Sequence, residues 1–302
     1  VVPSLLPFFI ATELLGYTNI ISILGKMLNK LMKPVFNVPG EGAFPFIMGI
    51  ISGYPVGAKI VAGFKKQGLC SDIEAERLIA FTNNSGPLFI IGTVGIGLFK
   101  DTKTGILLLI THIFACITVG ILFRWWKNSK NKRSTSFIET SNKLPSRISL
   151  SNLGEVLASS IMNSISTIFL IGGFVVLFSV VISILNSSGC LELISSFLSP
   201  IFKTFGIPSK YIKGIVIGLI ELTNGVCSIA LIASKNISTN IIICAFLLGF
   251  GGISVALQVL SITSKNGISI KPYLLGKFLQ GCFAALYTYL ILNNFCFLNL
   301  DL

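Results

Sequence analysis

"ISGYPVGAKIV", residues 51–61, lies inside an apolar run long enough to cross a bilayer, yet it carries two glycines, a proline and a lysine. A plain membrane anchor has no use for any of them. Pro55 removes a backbone donor and biases Tyr54 away from helical angles, while Gly53 and Gly57 permit a tight turn or close packing. Free N–H and C=O groups at membrane depth are costly unless they face protein, water or a solute. A break here therefore implies a polar cavity, and Ser52, Gly53, Tyr54 and Pro55 become candidate solute-site residues. Lys59 follows one turn later. A lysine in mid-bilayer costs at least about 2.5 kcal/mol, so it pairs, lines a wet path, or snorkels to the interface beside Lys65.

The wider composition agrees with a membrane setting. The chain of 302 residues is 53% hydrophobic and 11% charged, against about 25% charged in ordinary soluble domains. A soluble fold so apolar could not cover its surface, so the expectation is an all-α polytopic integral membrane protein. The net charge of +12 has no aromatic-interleaved basic stripe to go with it, so nucleic acid is not an expected partner. Seven cysteines form no CxxC pair and lie mostly within apolar runs, where they read as small hydrophobes. His112 is the single histidine, which leaves little material for a zinc site or a Ser-His triad; it reads as a satisfied intrahelical residue. No GxxxxGK[ST] motif occurs, so ATP-driven transport is not expected. No catalytic constellation, metal site or cofactor is expected; a coupling proton or sodium ion is the one small ion a carrier of this kind would need.

Eight apolar segments can be marked, at about 1–25, 43–63, 78–99, 104–126, 156–186, 212–234, 239–263 and 272–298. A basic, turn-rich linker, expected over 127–150 and cytoplasmic, divides a first repeat, 1–126, from a second, 151–302. The halves share an order of features. "KPVFNVPGEGAFPFIMGIISGYPVG", from Lys33, parallels "SPIFKTFGIPSKYIKGIVIGLIELTNG", from Ser199, with Pro34 on Pro200 and Gly49 on Gly218. "SGYP" then lies opposite "ELTN", and "FTNNSGPLF" (81–89) parallels "FLLGFGGIS" (246–254). Internal repeats of this kind mark secondary transporters.

Charge tests the topology. If all eight segments cross, the Lys/Arg count is 11 on one side and 10 on the other, which is no bias. If 43–63 and 212–234 re-enter as hairpins, 15 fall on one side and 6 on the other. The positive-inside rule therefore favours two inverted repeats with broken or re-entrant helices at those two places, while the loops 26–42 and 187–211 have room for interfacial helices that would blur the count.

The second broken segment, "GLIELTNGV" (218–226), offers Glu221, Thr223 and Asn224. A carboxylate there could balance Lys59, carry a proton, or help hold a sodium ion with Asn224 and backbone carbonyls. "FTNNSGPLF" adds Asn83, Asn84, Ser85 and Gly86, a polar run that could end one half-helix and cap the next, presenting backbone donors to an anion. "LLGFGGISVALQV" supplies Gly251, Gly252, Ser254 and Gln258, for the site or for close helix packing. Glu13, in the middle of the first segment, could line the path or pair with a lysine elsewhere.

At "SGYPVGAKI", "NNSGPLFI" and the opening "PSLLPFFI" the sequence resembles the YlbJ family of sporulation integral membrane proteins of endospore-forming Firmicutes, over nearly its whole length. That family is related to the group containing nucleoside-recognition, or gate, domains. The resemblance implies a carrier with an inverted-repeat fold like that of the concentrative nucleoside transporters. It also implies a role at stage V of sporulation, passing dipicolinate across the outer forespore membrane. The expected partners are a small anionic solute, the lipid bilayer and a second copy of the chain. Because the chain opens close to "PSLLPFFI", an upstream helix of the family is expected to be missing. Tyr54 could stack on a dipicolinate ring, and Lys59 suits its carboxylates, while Glu221 would repel a dianion unless protonated, paired or holding a cation. A nucleoside carrier and a non-transport scaffold of the forespore envelope stand as alternatives.

Overall fold

The protein is described by a computed structural model covering residues 2–127, 152–204, 206–234 and 237–294. The predicted linker, apart from Lys127, lies outside the described residues, as does Cys296. All regular structure among the described residues is helical. We number fourteen helices, leaving out single turns: α1 Val2–Gly16, α2 Ile20–Phe36, α3 Ala43–Ser52, α4 Val56–Lys66, α5 Asp72–Thr82, the π-helix α6 Leu88–Leu98 and α7 Thr102–Phe123. The second half repeats that list: α8 Leu153–Ser187, α9 Cys190–Thr204, α10 Ile212–Ile220, α11 Leu222–Ala230, α12 Ile237–Phe250, α13 Gly252–Thr263 and α14 Lys271–Asn294. Each helix n has its counterpart at n+7, so the repeat is complete, element for element.

Local chemistry explains the ends. Ser71 and Glu74 form a capping box at the start of α5, and Asp101 accepts the Lys103 and Thr104 amides at the start of α7. In α2, Ile21, Gly25, Met32 and Phe36 are buried at helical spacing while Lys26, Lys30 and Lys33 are exposed, as an interfacial helix requires. Its counterpart α9 likewise buries little.

Three of the expected apolar runs are divided. The run 1–25 bends by 81° between Leu6–Gly16 and Ile20–Phe36. The cause is the turn at Tyr17–Asn19, where the Thr18 hydroxyl donates to Leu15 O and accepts from Ile20 N. The run 78–99 opens at 83–86, where the strand-like Asn83 ends α5, and the run 239–263 opens at Gly251, in left-handed conformation. The helices long and apolar enough to span hydrocarbon are Thr102–Phe123, Leu153–Ser187, Ile237–Asn266 and Lys271–Asn294, with the bent α1–α2 pair as a fifth candidate.

Both segments expected to be broken are helical hairpins. In the first, α3 packs back on α4, so closely that a Cβ built on Gly49 would lie 3.5 Å from the Gly57 Cα. In the second, α10 packs on α11, and a Cβ on Gly225 would lie 2.0 Å from the Gly218 Cα. A straight helix would hold residues seven or eight apart more than about 10 Å from one another.

The repeats interlock. The second arm of each hairpin packs on the other repeat's divided helix, α4 on α13 and α11 on α6. In the same reciprocal way, α5 packs on α14 and α12 on α7. Two apolar clusters result, one around Phe44, Leu78 and Phe81, the other around Leu108, Val226 and Leu247, and Tyr54 packs against both. α1 and α8 pack on each other, and α8 also packs on α13 while α1 packs on α3, with Phe9, Val56 and Ile168 in a further apolar cluster.

Candidate functional site

Four helix interruptions meet where the repeats interlock. The tip of the first hairpin, Gly53, approaches the second interruption so closely that a Cβ there would lie 3.0 Å from the Gly86 amide nitrogen. Tyr54 crosses to the other repeat and donates its hydroxyl to Leu248 O at 3.2 Å, just before Gly251. Ser85 Oγ donates to the same carbonyl at 3.4 Å. The tip of the second hairpin meets α13, since a Cβ on Gly252 would lie 3.3 Å from the Leu222 amide nitrogen. The N-termini of α4, α6, α11 and α13 all begin at these interruptions, and each points the positive end of a helix dipole there; the Ala58 amide of α4 donates to Asn83 Oδ1 at 3.4 Å.

Buried polar side chains fill the junction. Asn84 is fully buried; it donates to Phe81 O at 2.8 Å and accepts from Gln280 Nε2 at 2.8 Å. Lys277, 1% exposed, donates to Asn83 O at 2.9 Å and to Gln280 Oε1 at 2.7 Å, with its ammonium 5.0 Å from the centre of the Tyr54 ring. His112 Nε2 accepts the Ser85 amide at 3.3 Å, which leaves the ring proton on Nδ1. Asn83 Nδ2, His112 Nδ1, Ser254 Oγ and Gln258 Oε1 are buried with no hydrogen-bond partner in the protein. Each such orphan costs about 1–3 kcal/mol, so a polar solute reaching this junction would relieve several of them.

Glu221 belongs to the junction in an unexpected way. Only 2% exposed, it caps α11, its two carboxylate oxygens accepting the Thr223 and Asn224 amides at 3.0 and 2.8 Å. Asn224 in turn donates to Ser179 on α8 at 2.9 Å. Glu221 therefore does not balance Lys59. Thr223 is exposed.

Lys59 stands apart from this junction. Its ammonium pairs with Glu13 at 2.6 Å and donates to Thr167 at 3.1 Å, joining α4 to α1 and α8. Asn163 donates to the other Glu13 oxygen at 3.3 Å, and Thr12 and Ser52 share a hydrogen bond of 2.6 Å nearby. Thr12, Glu13, Lys59 and Thr167 line a side cleft of about 240 Å³ with Phe9, Tyr17, Phe44 and Phe64. The site residues read from the sequence thus divide: Lys59 lines the cleft, with Ser52 bonded to the cleft's Thr12; Tyr54, Asn83, Asn84, Ser85, Gly251 and Gly252 gather at the junction with the Glu221 cap; Ser254 and Gln258 are buried further along α13. The Lys59 and Glu13 side chains keep 35% and 22% of their surface open, and where water fills the cleft the pair is screened and worth little by itself. A double-mutant cycle on Glu13→Gln and Lys59→Met, read as thermal unfolding in detergent, should give a coupling of about 1 kcal/mol or less. A coupling of several kcal/mol would mean that the pair is desolvated in the working protein.

Sequence reasoning passed over Lys277 and Gln280 and set His112 aside. The signal was present: Tyr273, Lys277, Gln280 and Thr288 form a polar stripe at helical spacing along an apolar span, and all four are buried. Among the described residues no group of three His, Cys, Asp or Glu could hold a metal.

Comparison with known proteins agrees with this architecture. A family model described as "Gate: Nucleoside recognition" matches residues 1–124 and 168–266. The chain is 35% identical over 303 aligned residues to the sporulation integral membrane protein YlbJ of Bacillus subtilis (strain 168), covering 96% of this chain and 74% of that protein. Among solved structures it resembles CNTnw in an inward-facing substrate-bound state, with a TM-score of 0.60 and 14% identity, over 95% of this chain and 75% of that one. It also resembles a doubly substituted CNTnw in an outward-facing state, with a TM-score of 0.56 and 13% identity, over 96% and 76% of the two chains. At these identities the likeness is one of fold.

Proposed function

We propose, from the premise that this chain belongs to the YlbJ family of sporulation integral membrane proteins within the wider Gate family, that it is a secondary carrier of a small organic anion. Dipicolinate, moved across the outer forespore membrane, is the solute we favour. One observation supports this reading above the others: four helix interruptions, two from each repeat, converge on a buried junction that holds one ammonium, two amides and two polar groups, Asn83 Nδ2 and His112 Nδ1, without partners. Interruptions of this kind at the meeting of two repeats are how membrane carriers make a polar site at depth. The helix N-termini and Lys277 suit carboxylates, and the Tyr54 ring suits a flat aromatic core.

In this reading the two hairpins enter the membrane and return to the same side. Each repeat then crosses three times, and the repeats are inverted, as the distribution of Lys and Arg favours. Glu221 has both oxygens committed to capping α11, so it serves as part of the second hairpin's tip and does not face the solute as a free carboxylate.

The test is uptake of radiolabelled dipicolinate into proteoliposomes under an imposed proton or sodium gradient. Wild type should show saturable uptake. Glu221→Ala removes a cap worth about 1–2 kcal/mol at the hairpin tip and should lower uptake roughly 5- to 30-fold, while Glu221→Gln, which keeps one acceptor, should lose less. Absence of uptake by folded wild-type protein would overturn the dipicolinate reading. Competition by nucleosides in the same vesicles would favour the second reading, a nucleoside carrier, to which the description of the matching family points.

A further inference from the structure

The carbonyls freed where a membrane helix is interrupted need a positive partner, and in ion-coupled carriers an alkali ion commonly supplies it. At the end of α5 that partner is already present. The Asn83 carbonyl, the first beyond the helix, accepts from Lys277 Nζ at 2.9 Å. Gln280 Oε1 accepts from the same ammonium at 2.7 Å, and the Tyr54 ring lies 5.0 Å away. Two carbonyl-type oxygens and an aromatic face thus surround a single positive charge, a set that a small monovalent cation would also accept. The place is right electrostatically, because the C-terminus of α5 presents the negative end of its dipole.

Lys277 also has no counter-charge. Among the described residues no carboxylate lies within 4.0 Å of its ammonium, whereas Lys59, Lys65, Lys127 and Lys213 each have one. The stem is held on α14, and the head reaches across to a residue 194 positions earlier in the chain. The other titratable groups around it are Tyr54 from the first hairpin, Tyr273 one turn back on α14, and His112 and Cys116 on α7, all buried or nearly so. None of them carries a fixed negative charge at neutral pH.

We propose that Lys277 is a tethered cation occupying the position a coupling alkali ion would take at the end of α5, so that this interruption is stabilised without sodium. The inference deepens the carrier reading and rests on it for its functional meaning: the positive charge an anionic solute meets at the junction belongs to the protein itself. The geometry on which it stands is independent of which solute is carried.

The test reads stability and needs no solute. Melting temperatures of the purified full chain in detergent are compared in sodium, potassium, methylammonium and choline chloride at equal ionic strength. Wild type should be indifferent to the cation, with differences of about 1 °C or less. Lys277→Ala leaves Asn83 O and Gln280 Oε1 facing an unfilled space, and it should acquire stabilisation by sodium or by methylammonium of roughly 3 °C or more. Lys277→Arg keeps a tethered charge and should stay indifferent. A sodium-specific rise in wild type or in Lys277→Arg overturns the proposal, as does a folded Lys277→Ala protein that ignores every cation. Should Lys277→Ala not fold, the wild-type and Lys277→Arg measurements still decide. Failure of dipicolinate uptake would sink the dipicolinate reading without moving these melting temperatures, so the two failures are distinguishable.

Discussion

Gly57→Leu protein should not accumulate in folded form, a greater loss than any polar substitution at the junction should cause. The reason lies in how the first hairpin seats against the end of α5. The Thr82 carbonyl oxygen fits between the two arms: a Cβ on Gly49 would lie 1.7 Å from it and a Cβ on Gly57 2.1 Å. Both obstacles are backbone, so neither can swing aside as a flexible side chain would. Overpacking a dense core costs about 1–3 kcal/mol when side chains can adjust, and a clash with backbone at the meeting of three helices belongs above that range. Even Gly57→Ala should lower the melting temperature by several degrees, since 1 kcal/mol shifts it by about 2–4 °C in a protein of this class. Gly225, whose Cβ would lie 2.0 Å from the Gly218 Cα, is the equivalent point of the second hairpin, and Gly225→Ala should behave alike. By contrast Gly63→Ala, in the same α4 but with nothing within 4 Å, should be neutral or slightly stabilising. Size-exclusion profiles of tagged protein in detergent, with thermal unfolding of what elutes as monodisperse, would check all four. A well-folded Gly57→Leu protein would show that the hairpin does not need its close seat on α5.

The second large effect is expected at Asn84. Asn84→Leu removes the donor to Phe81 O and the acceptor for Gln280 Nε2 from a site with no exposure. Losing the bonds is the smaller part of the cost; the larger, at about 1–3 kcal/mol each, is leaving the buried Phe81 carbonyl with only the weak Cys116 thiol donor and the buried Gln280 amide with only the 3.3 Å contact to His112 Nε2. Gln280 also holds Lys277, so disorder at Gln280 loosens the ammonium. Saturable uptake should fall by roughly 100-fold, the equivalent of about 3 kcal/mol, with a drop in melting temperature alongside. The companion variant Asn84→Gln, polar but one methylene longer, should recover part of the stability and little of the uptake. Uptake unchanged in a folded Asn84→Leu protein would remove the junction from the transport path.

Much of this architecture was legible in the residues. Pro55 between Gly53 and Gly57, and Gly86-Pro87 after four polar side chains, announce interruptions because proline and glycine act on the backbone locally. The repeat then transferred the argument to the second half, where "ELTN" carries no proline and would not have stood out by itself. The turn residues Gly16 to Asn19 held the sign of the 81° bend, although the surrounding apolar run hid it. Pairing was beyond reach. That Lys59 meets Glu13, 46 residues away, and that Glu221 spends its charge on two amides, are facts of packing with no trace in spacing. Lys277 escaped notice for another reason: a lone lysine in an apolar span reads equally as interfacial or buried until the neighbours of its helix are known.

The reach of Lys277 back to Asn83 has a consequence for how the protein is made. Synthesis runs from the N-terminus, and domains tend to form as they emerge. Here the first half cannot complete itself: the carbonyl at the end of α5 acquires its ammonium, and Asn84 its amide partner, only once α14 has been inserted, 194 and 196 residues later. Until then a polar opening lies among apolar helices with no lid. The nascent chain must be held by the insertion machinery or by its own second half, and a ribosome stalled before α14 would leave behind a substrate for membrane quality control instead of a working half-carrier.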